Sequence, residues 1–524
     1  MAAKRHDGGG YTDADKKEDI KVLHGMGYAQ ELSRGMSKFS NFAISFSIIC
    51  ILSGGINSFA QATSSIGGAG AGIGWIVGCG VSAVFAVAMA QIASAYPTAG
   101  GLYHWGSILG NRFTGWVTAW LNLLGLITVL GAINIGTAFF FTGTFGSLIG
   151  MTGTPGEIVI FVGVITIIQA AINHLGIKLT TLLTDWSGYI ILGTTAALIL
   201  LCLYFAPTHD WSRLWTFTNN SGDAGGGVWP QSDSLIYLFA LSLLLPIYTI
   251  TGYDASAHTS EETHKAAHSV PRGIVDSVLW SSLAGWVMLW AMVIAIPDMA
   301  EGAKQGWNVF FYTISSIMPA GLTKVLYFFI LIAQFLCGLA TVTSASRMIF
   351  AFSRDGGLPF ISKWVSTVSP KFRTPVAAIW TGAMLEFLYV WMAQTVSVGG
   401  TNIYTIVVNS TLIFLFLSFT VPIALGFFAI GTKKWPAMGP WDIGIPLYRL
   451  FAVLSVLCMA LIIYIAVQPP NDKVLWITLV FLVITAIIWV LFENKRFQGP
   501  PIGDMIKKRQ AEILAAEKAI GEIA

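Results

Sequence analysis

Twelve stretches of about 20 largely apolar residues follow one another along the chain, and they constrain the fold more than any other feature. Each has the length that an α-helix needs to cross the hydrocarbon layer of a bilayer. The stretches are continuously apolar and lack the period-two alternation that is typical of membrane strands. We therefore predict an all-α membrane protein with twelve transmembrane helices.

The apolar stretches and the polar connections between them divide the chain into six parts. The first five helices occupy residues 39–205, helices 6–10 occupy 234–430, and helices 11 and 12 occupy 431–492. An extracellular loop at 206–233 separates the two groups of five helices. The remaining parts are an N-terminal tail, 1–38, and a C-terminal tail, 493–524, both expected in the cytoplasm.

Composition and charge support a bilayer as the solvent and indicate the orientation. Hydrophobic residues make up 55% of the chain and charged residues 10%, whereas soluble domains carry about a quarter charged residues. A soluble, disordered or nucleic-acid-binding protein is excluded by this balance. With twelve crossings, all but four of the 29 Lys and Arg residues fall on the side of the membrane that holds the N-terminus. The exceptions are Arg213, Lys304, Lys324 and Lys473. The positive-inside rule therefore predicts a multi-pass protein of the plasma or inner membrane with both termini cytoplasmic.

The first apolar stretch contains a weak point near its middle. The adjacent glycines Gly54 and Gly55 follow Ser53 there, and Ile56 and Asn57 come next. Each glycine weakens a helix by about 1 kcal/mol relative to alanine. We predict that the first helix is interrupted at these residues.

The sixth apolar stretch contains a second weak point at a matching position. Pro246 removes a backbone donor, and a polar sextet from Thr249 to Asp254 follows it at membrane depth. Irregular backbone inside a membrane is tolerated only where it lines a protein-enclosed cavity. Interruptions in the first and sixth helices predict two five-helix halves repeated with inverted topology, followed by two C-terminal helices.

Interrupted helices provide polar groups without charged side chains. Free amides at the start of a half-helix suit a carboxylate, and free carbonyls at the end of the preceding half suit an ammonium group or a metal cation. We expect the substrate carboxylate at the amides after Gly54 and Gly55, and its amine at the carbonyls of Ile250 and Thr251. Asn57 is a candidate for an additional hydrogen bond.

Four motifs resemble the amino acid–polyamine–organocation (APC) transporter superfamily. Within it the chain is most similar to the amino acid/choline branch, with its fungal γ-aminobutyrate and choline permeases and a plant bidirectional amino-acid transporter. The motifs are Met26–Gly54, AYPTAGGLYHW at Ala95–Trp105, TGYDASAHTSEET at Thr251–Thr263 and SRMIFAFSRDGGLP at Ser346–Pro359. The resemblance implies a five-plus-five inverted repeat and secondary active transport without a prosthetic group, so no cofactor, resident metal or catalytic residue is expected.

The resemblance also implies roles for individual residues. Tyr248 takes the position of an aromatic gate above the substrate, and Asp254 takes that of an acid that often follows the glycine–aromatic pair. Thr341 approximately matches a hydroxyl position that sodium-dependent relatives use on the eighth helix. The unwound segments would comprise Ser53, Gly54, Gly55 and Ile56 in the first helix, and Thr251, Gly252 and Tyr253 in the sixth. Asp254 and Thr341 are therefore the candidate coupling and gating residues.

Charged residues at the inner helix ends are expected to close one side of the protein. The candidates are Glu261, Glu262, Arg272, Arg347 and Arg354. The nearby His258, His264 and His268 are interpreted as part of the same family motif and not as a zinc site. The isolated Glu386 in the ninth apolar stretch is expected to pair with a neighbouring helix.

The sequence favours a permease for a small amino acid or amino-acid-like amine, with γ-aminobutyrate or a similar zwitterion preferred. Coupling to protons or sodium, amino-acid exchange, and transport of choline, another quaternary amine or a polyamine stay open. A passive channel is a further alternative, and an enzyme is disfavoured because no HExxH or nucleophile-elbow motif occurs. Expected partners are the substrate, lipid and a co-transported ion, but no nucleic acid, for a monomer or weak homodimer.

Overall fold

The computed structural model describes residues 11–395, 403–501 and 504–519, and this part of the chain is helical without a β-strand. Residues 1–10 and 520–524, which belong to the predicted terminal tails, lie outside the described residues. The prediction of an all-α protein is confirmed for the described part.

Eleven helices in the described ranges are long and apolar enough to cross a membrane. They are Lys38–Asn57, Gly70–Ala95, Arg112–Leu148, Pro155–His174, Ile177–Phe205, Ala266–Ala295, Ala320–Arg354, Val376–Thr395, Ile406–Ala429, Ile445–Ala466 and Lys473–Arg496. A shorter apolar helix, Leu235–Thr249, lies between the fifth and the sixth of these. We number the twelve apolar segments in chain order, so that the sixth segment comprises residues 235–258.

Several shorter helices connect these segments. Leu102–Leu109 follows the second segment, Met299–Lys304 and Val309–Ile317 follow the seventh, and Ser362–Val365 follows the eighth. Two further helices, Asp13–Gly25 and Asp504–Ala519, lie in the terminal regions. Thr12 begins the N-terminal helix with a capping box, in which its side chain and that of Asp15 bond each other's backbone amides.

The first and third segments lie at the centre of the molecule. In each, 89% of the most apolar window is buried within the protein, against 28% for the fourth segment and 17% for the twelfth. The first segment packs against the fifth, seventh and eighth, and the third packs against the eighth and tenth. The peripheral helices therefore shield the interrupted segments from lipid.

A polar cluster joins the third, fourth and ninth segments. Glu386 accepts hydrogen bonds from Asn134 Nδ2 at 3.3 Å and from Thr166 Oγ1 at 2.8 Å. The expectation that Glu386 pairs with neighbouring helices is confirmed. A polar group buried in a membrane protein needs such partners because lipid offers none.

The two terminal helices meet on one face of the protein, which we call the termini face. Glu517 is buried and lies 2.7 Å from His24 Nε2, and it accepts a hydrogen bond from the Gln30 amide at 2.8 Å. Arg509 on the same C-terminal helix approaches Asp355 to 3.5 Å. Both ends of the described chain therefore lie on the same side, as the charge distribution predicts.

Candidate functional site

The first segment is interrupted where its glycines predict. The regular helix runs from Lys38 to Ile49, Cys50 adopts a φ of 23°, and a short helix resumes at Gly54–Asn57. The Ser53 and Gly54 amides both turn back to the Cys50 carbonyl. Four further amides at the interruption donate no hydrogen bond within the described residues: those of Ile51, Leu52, Gly55 and Ile56.

The sixth segment has its main interruption after Thr249, and a one-residue break at Leu243 precedes Pro246. The helix Leu244–Thr249 passes through Pro246, whose carbonyl accepts from the Ile250 amide at 2.9 Å, and helix resumes at Ala255–His258. Gly252 has a φ of 86°, a conformation that side-chain-bearing residues rarely adopt. Four successive amides donate no hydrogen bond among the described residues: those of Thr251, Gly252, Tyr253 and Asp254.

The two interruptions face each other at close range. A Cβ on Gly54 would lie 2.9 Å from the Cα of Thr249, so the backbones approach this closely only because position 54 has no side chain. On the termini side the two segments are joined by Ser45, whose hydroxyl donates to the Tyr253 carbonyl at 2.9 Å and accepts from the Ser256 amide at 3.0 Å. The fold therefore brings the two interruptions together.

The eighth segment contacts the first interruption through residues that the sequence did not indicate. Gln334 Nε2 donates to the Leu52 carbonyl at 3.1 Å, and Cys337 Sγ lies 3.2 Å from the Ile48 carbonyl. The predicted Thr341 lies one turn beyond Cys337 and donates its hydroxyl to the Cys337 carbonyl at 2.9 Å. Polar residues in an otherwise apolar segment were the available signal for Gln334.

The two tyrosines next to the second interruption, Tyr248 and Tyr253, are buried. Tyr253 is fully buried and its ring lies 5.4 Å from that of Phe419 on the tenth segment. Tyr248 is 5% exposed and lies in the last turn of the helix before the interruption. A gating role for Tyr248 stays a prediction.

A cavity reaches the first interruption from the side opposite the termini face. Its volume is about 340 Å³, within the range of small-molecule sites, and it is lined by Ile56, Asn57 and aromatic residues including Phe140, Trp307 and Phe310. The buried Nδ2 of Asn57 has no hydrogen-bond partner among the described residues. This amide is therefore available to a ligand.

Two buried ion pairs close the termini face. Arg347 donates from Nε and Nη2 to both carboxylate oxygens of Glu262 at 2.8 Å, and both side chains are fully buried. Arg354 contacts Glu261 at 2.8 and 3.1 Å. Burial raises the pKa of Glu261, but the charge of Arg354 and its hydrogen bonds outweigh this and hold that pKa below its usual value. The predicted salt links are confirmed for these four residues. Arg272 is exposed and is not part of either pair.

Asp254 is fully buried and contacts two polar side chains. Its Oδ2 accepts from Asn122 Nδ2 at 3.1 Å and lies 3.3 Å from His258 Nε2. Asn122 belongs to the third segment, so this hydrogen bond joins the third segment to the sixth. The four-residue spacing of Asp254 and His258, which puts them on one helix face, was the signal for this pairing.

These helices define a polytopic membrane protein, and comparison with known proteins specifies the family. The model of the amino acid permease family matches residues 36–492. The chain belongs to this family, within the APC superfamily, and the resemblance inferred from the motifs is confirmed. It is therefore a multi-pass membrane protein of an amino acid transport family.

Individual relatives cover most of the chain. It is 33% identical to amino-acid permease BAT1 of Arabidopsis thaliana over 425 residues. The matched region covers 77% of this chain and 80% of that protein. A rice (Oryza sativa subsp. japonica) BAT1 homolog is 30% identical over 442 residues, or 80% of this chain and 82% of the homolog. The GABA-specific permease of Saccharomyces cerevisiae is 29% identical over 401 residues, or 70% of this chain and 65% of that permease.

Substitution of Gly54 tests the close approach of the two interruptions. We expect Gly54→Ala to reduce substrate binding by about tenfold or more, because its methyl group would enter the Thr249 backbone. Gly193→Ala is the matched control, since a Cβ there meets nothing within 4 Å. Binding is measured by ligand-induced thermal stabilisation of the purified protein, and equal stabilisation of both variants would contradict the assignment.

Separating the partners of the Glu262–Arg347 pair tests the closure of the termini face. We expect Arg347→Met to destabilise the protein by about 3–5 kcal/mol, because it leaves a buried carboxylate uncompensated. The double variant Glu262→Leu with Arg347→Met should recover much of this loss. Thermal unfolding in detergent measures both, and a double variant less stable than the single one would show that the pair is not the source of the effect.

Proposed function

We propose that this protein is a secondary active permease that moves a small amino acid or amino-acid-like amine by alternating access. The observation that carries the proposal is the close approach of two interrupted helices, each with unpaired backbone amides, inside a helical membrane protein. An unsatisfied backbone group in lipid costs several kcal/mol, so such amides are retained where a ligand engages them. γ-Aminobutyrate or a similar zwitterion is the favoured substrate.

The substrate carboxylate would lie at the amides of Gly55 and Ile56, and its amine at the carbonyls of Ile250 and Thr251. Neither of these carbonyls accepts a hydrogen bond within the described residues. The proposed site comprises Ser53, Gly54, Gly55, Ile56, Asn57, Tyr248, Ile250, Thr251, Gly252 and Tyr253. Helix-terminal dipoles of opposite sign suit the two ends of a zwitterion.

The membrane arrangement follows from the same proposal. Twelve crossings in a five-plus-five inverted repeat plus two C-terminal helices would place both termini in the cytoplasm of a plasma or inner membrane. The described state is then closed towards the cytoplasm by the Glu262–Arg347 and Glu261–Arg354 pairs. Transport requires these pairs to separate while the opposite cavity closes, and substrate binding assists only the state that binds it more tightly.

Choline or a polyamine is the alternative cargo, and the surroundings of Asp254 disfavour it. A cation without a carboxylate needs a carboxylate or an aromatic cage in the site. Asp254, the acid at the interruption, already contacts Asn122 and His258. A zwitterion that brings its own negative charge to the free amides fits this distribution better.

Uptake into proteoliposomes tests the proposal. With an acidic exterior we expect saturable accumulation of labelled γ-aminobutyrate or alanine, competition by other small amino acids, and collapse by a protonophore. Choline and spermidine should compete at least about tenfold more weakly, because they lack a carboxylate.

Protein-free liposomes provide the control. Displacement of label by choline but by no amino acid would favour the alternative cargo. Accumulation that follows a sodium gradient and ignores the pH gradient would replace proton coupling with sodium coupling, for which Thr341 is the candidate hydroxyl. Non-saturable flux would indicate a channel.

A further inference from the structure

Asp254 and His258 form an isolated pair on the short half-helix that follows the second interruption. Both are fully buried, and His258 Nε2 lies 3.3 Å from Asp254 Oδ2. The other ring nitrogen, Nδ1, lies 3.1 Å from the Ala99 carbonyl. Since a carbonyl only accepts hydrogen bonds, Nδ1 carries a hydrogen.

The position of that hydrogen determines the proton count of the pair. If Nε2 were bare and Asp254 ionised, a lone pair and a negative charge would face each other in a buried site, which is unfavourable. One additional proton, on Nε2 or on the carboxyl group, removes the conflict. From this we propose, building on the proposed function, that Asp254 and His258 share one exchangeable proton and that this is the proton coupled to transport.

Two polar atoms of the pair lack a hydrogen-bond partner in the described part of the chain. Neither His258 Nε2 nor Asp254 Oδ1 has a well-aligned hydrogen-bond partner among the described residues. From the third and tenth segments the pair is faced by neutral groups, Asn122 and behind it Ser418. The titratable or charged groups nearby are Tyr253 on the same segment and the two ion pairs, Glu261–Arg354 and Glu262–Arg347, at the termini face.

Ala99 connects the pair to the closure of the termini face. Its carbonyl faces His258 Nδ1 at 3.1 Å, while its amide donates to Glu261 Oε1 at 3.1 Å. Glu261 is at the same time held by Arg354. Separation of Glu261 from Arg354 therefore also disturbs the peptide that orients the His258 ring, and the proton is released to the termini face when that face opens.

Transport assays of single and double variants test the shared proton. We expect Asp254→Asn and His258→Gln each to reduce accumulation driven by a pH gradient by about tenfold or more, while exchange of labelled for unlabelled amino acid continues. The double variant should be no worse than either single variant, because both lose the same proton. Glu386→Gln, which alters a buried carboxyl outside the pair, is the control and should retain the response to the pH gradient.

Accumulation at the wild-type level in either single variant, or losses that add in the double variant, would overturn the shared proton. A wild-type protein that transports amino acids without any response to a pH gradient would overturn it as well and leave the permease function standing. If no amino acid is transported, the proposed permease function fails. Nitrogen NMR of the His258 ring then tests the pairing of Asp254 with His258 independently of transport. We expect the Nε2 signal to differ between the wild-type protein and Asp254→Asn, because the carboxyl group faces that nitrogen at 3.3 Å. An Nε2 signal that Asp254→Asn leaves unchanged would refute the pairing.

Discussion

The structure depends on one constraint of the membrane: a backbone amide without a hydrogen-bond acceptor is costly in free energy when it faces lipid. Among the described residues such amides occur in both interruptions, and the close approach of Gly54 to Thr249 brings these interruptions together inside the protein. The absence of a side chain at Gly54 permits the contact, and the left-handed conformation of Gly252 permits the second interruption. The central position of the first and third segments then follows, because peripheral helices must keep these amides away from lipid.

Three kinds of chemistry follow one another over a short stretch of chain from the second interruption to Glu262. Free amides come first, then the Asp254–His258 pair, and then the acids Glu261 and Glu262 that close the termini face. Each relies on a different interaction: peptide dipoles, the proposed shared proton and buried ion pairs. Because Ala99 contacts both His258 and Glu261, the second and third are mechanically linked.

Sequence reasoning located the features whose causes are local. Apolar length marked the helices, paired glycines marked the first interruption, and the polar sextet marked the second more accurately than Pro246 did. It also selected Glu261 and Glu262 as closing residues, since acids at inner helix ends need basic partners. It did not anticipate the contacts of Gln334 and Cys337 with the first interruption, because a helix position within one turn cannot be assigned without knowing how neighbouring helices rotate.

The membrane class, the places where helices fail and the shared side of the two termini were determined by the sequence alone, because hydropathy, glycine flexibility and charge distribution act along the chain. The tertiary structure decided which distant groups meet. Asn122 reaches Asp254 across 132 positions, and Glu262 reaches Arg347 across 85. Such pairings depend on the packing and rotation of helices that are remote in sequence, and no local propensity specifies either.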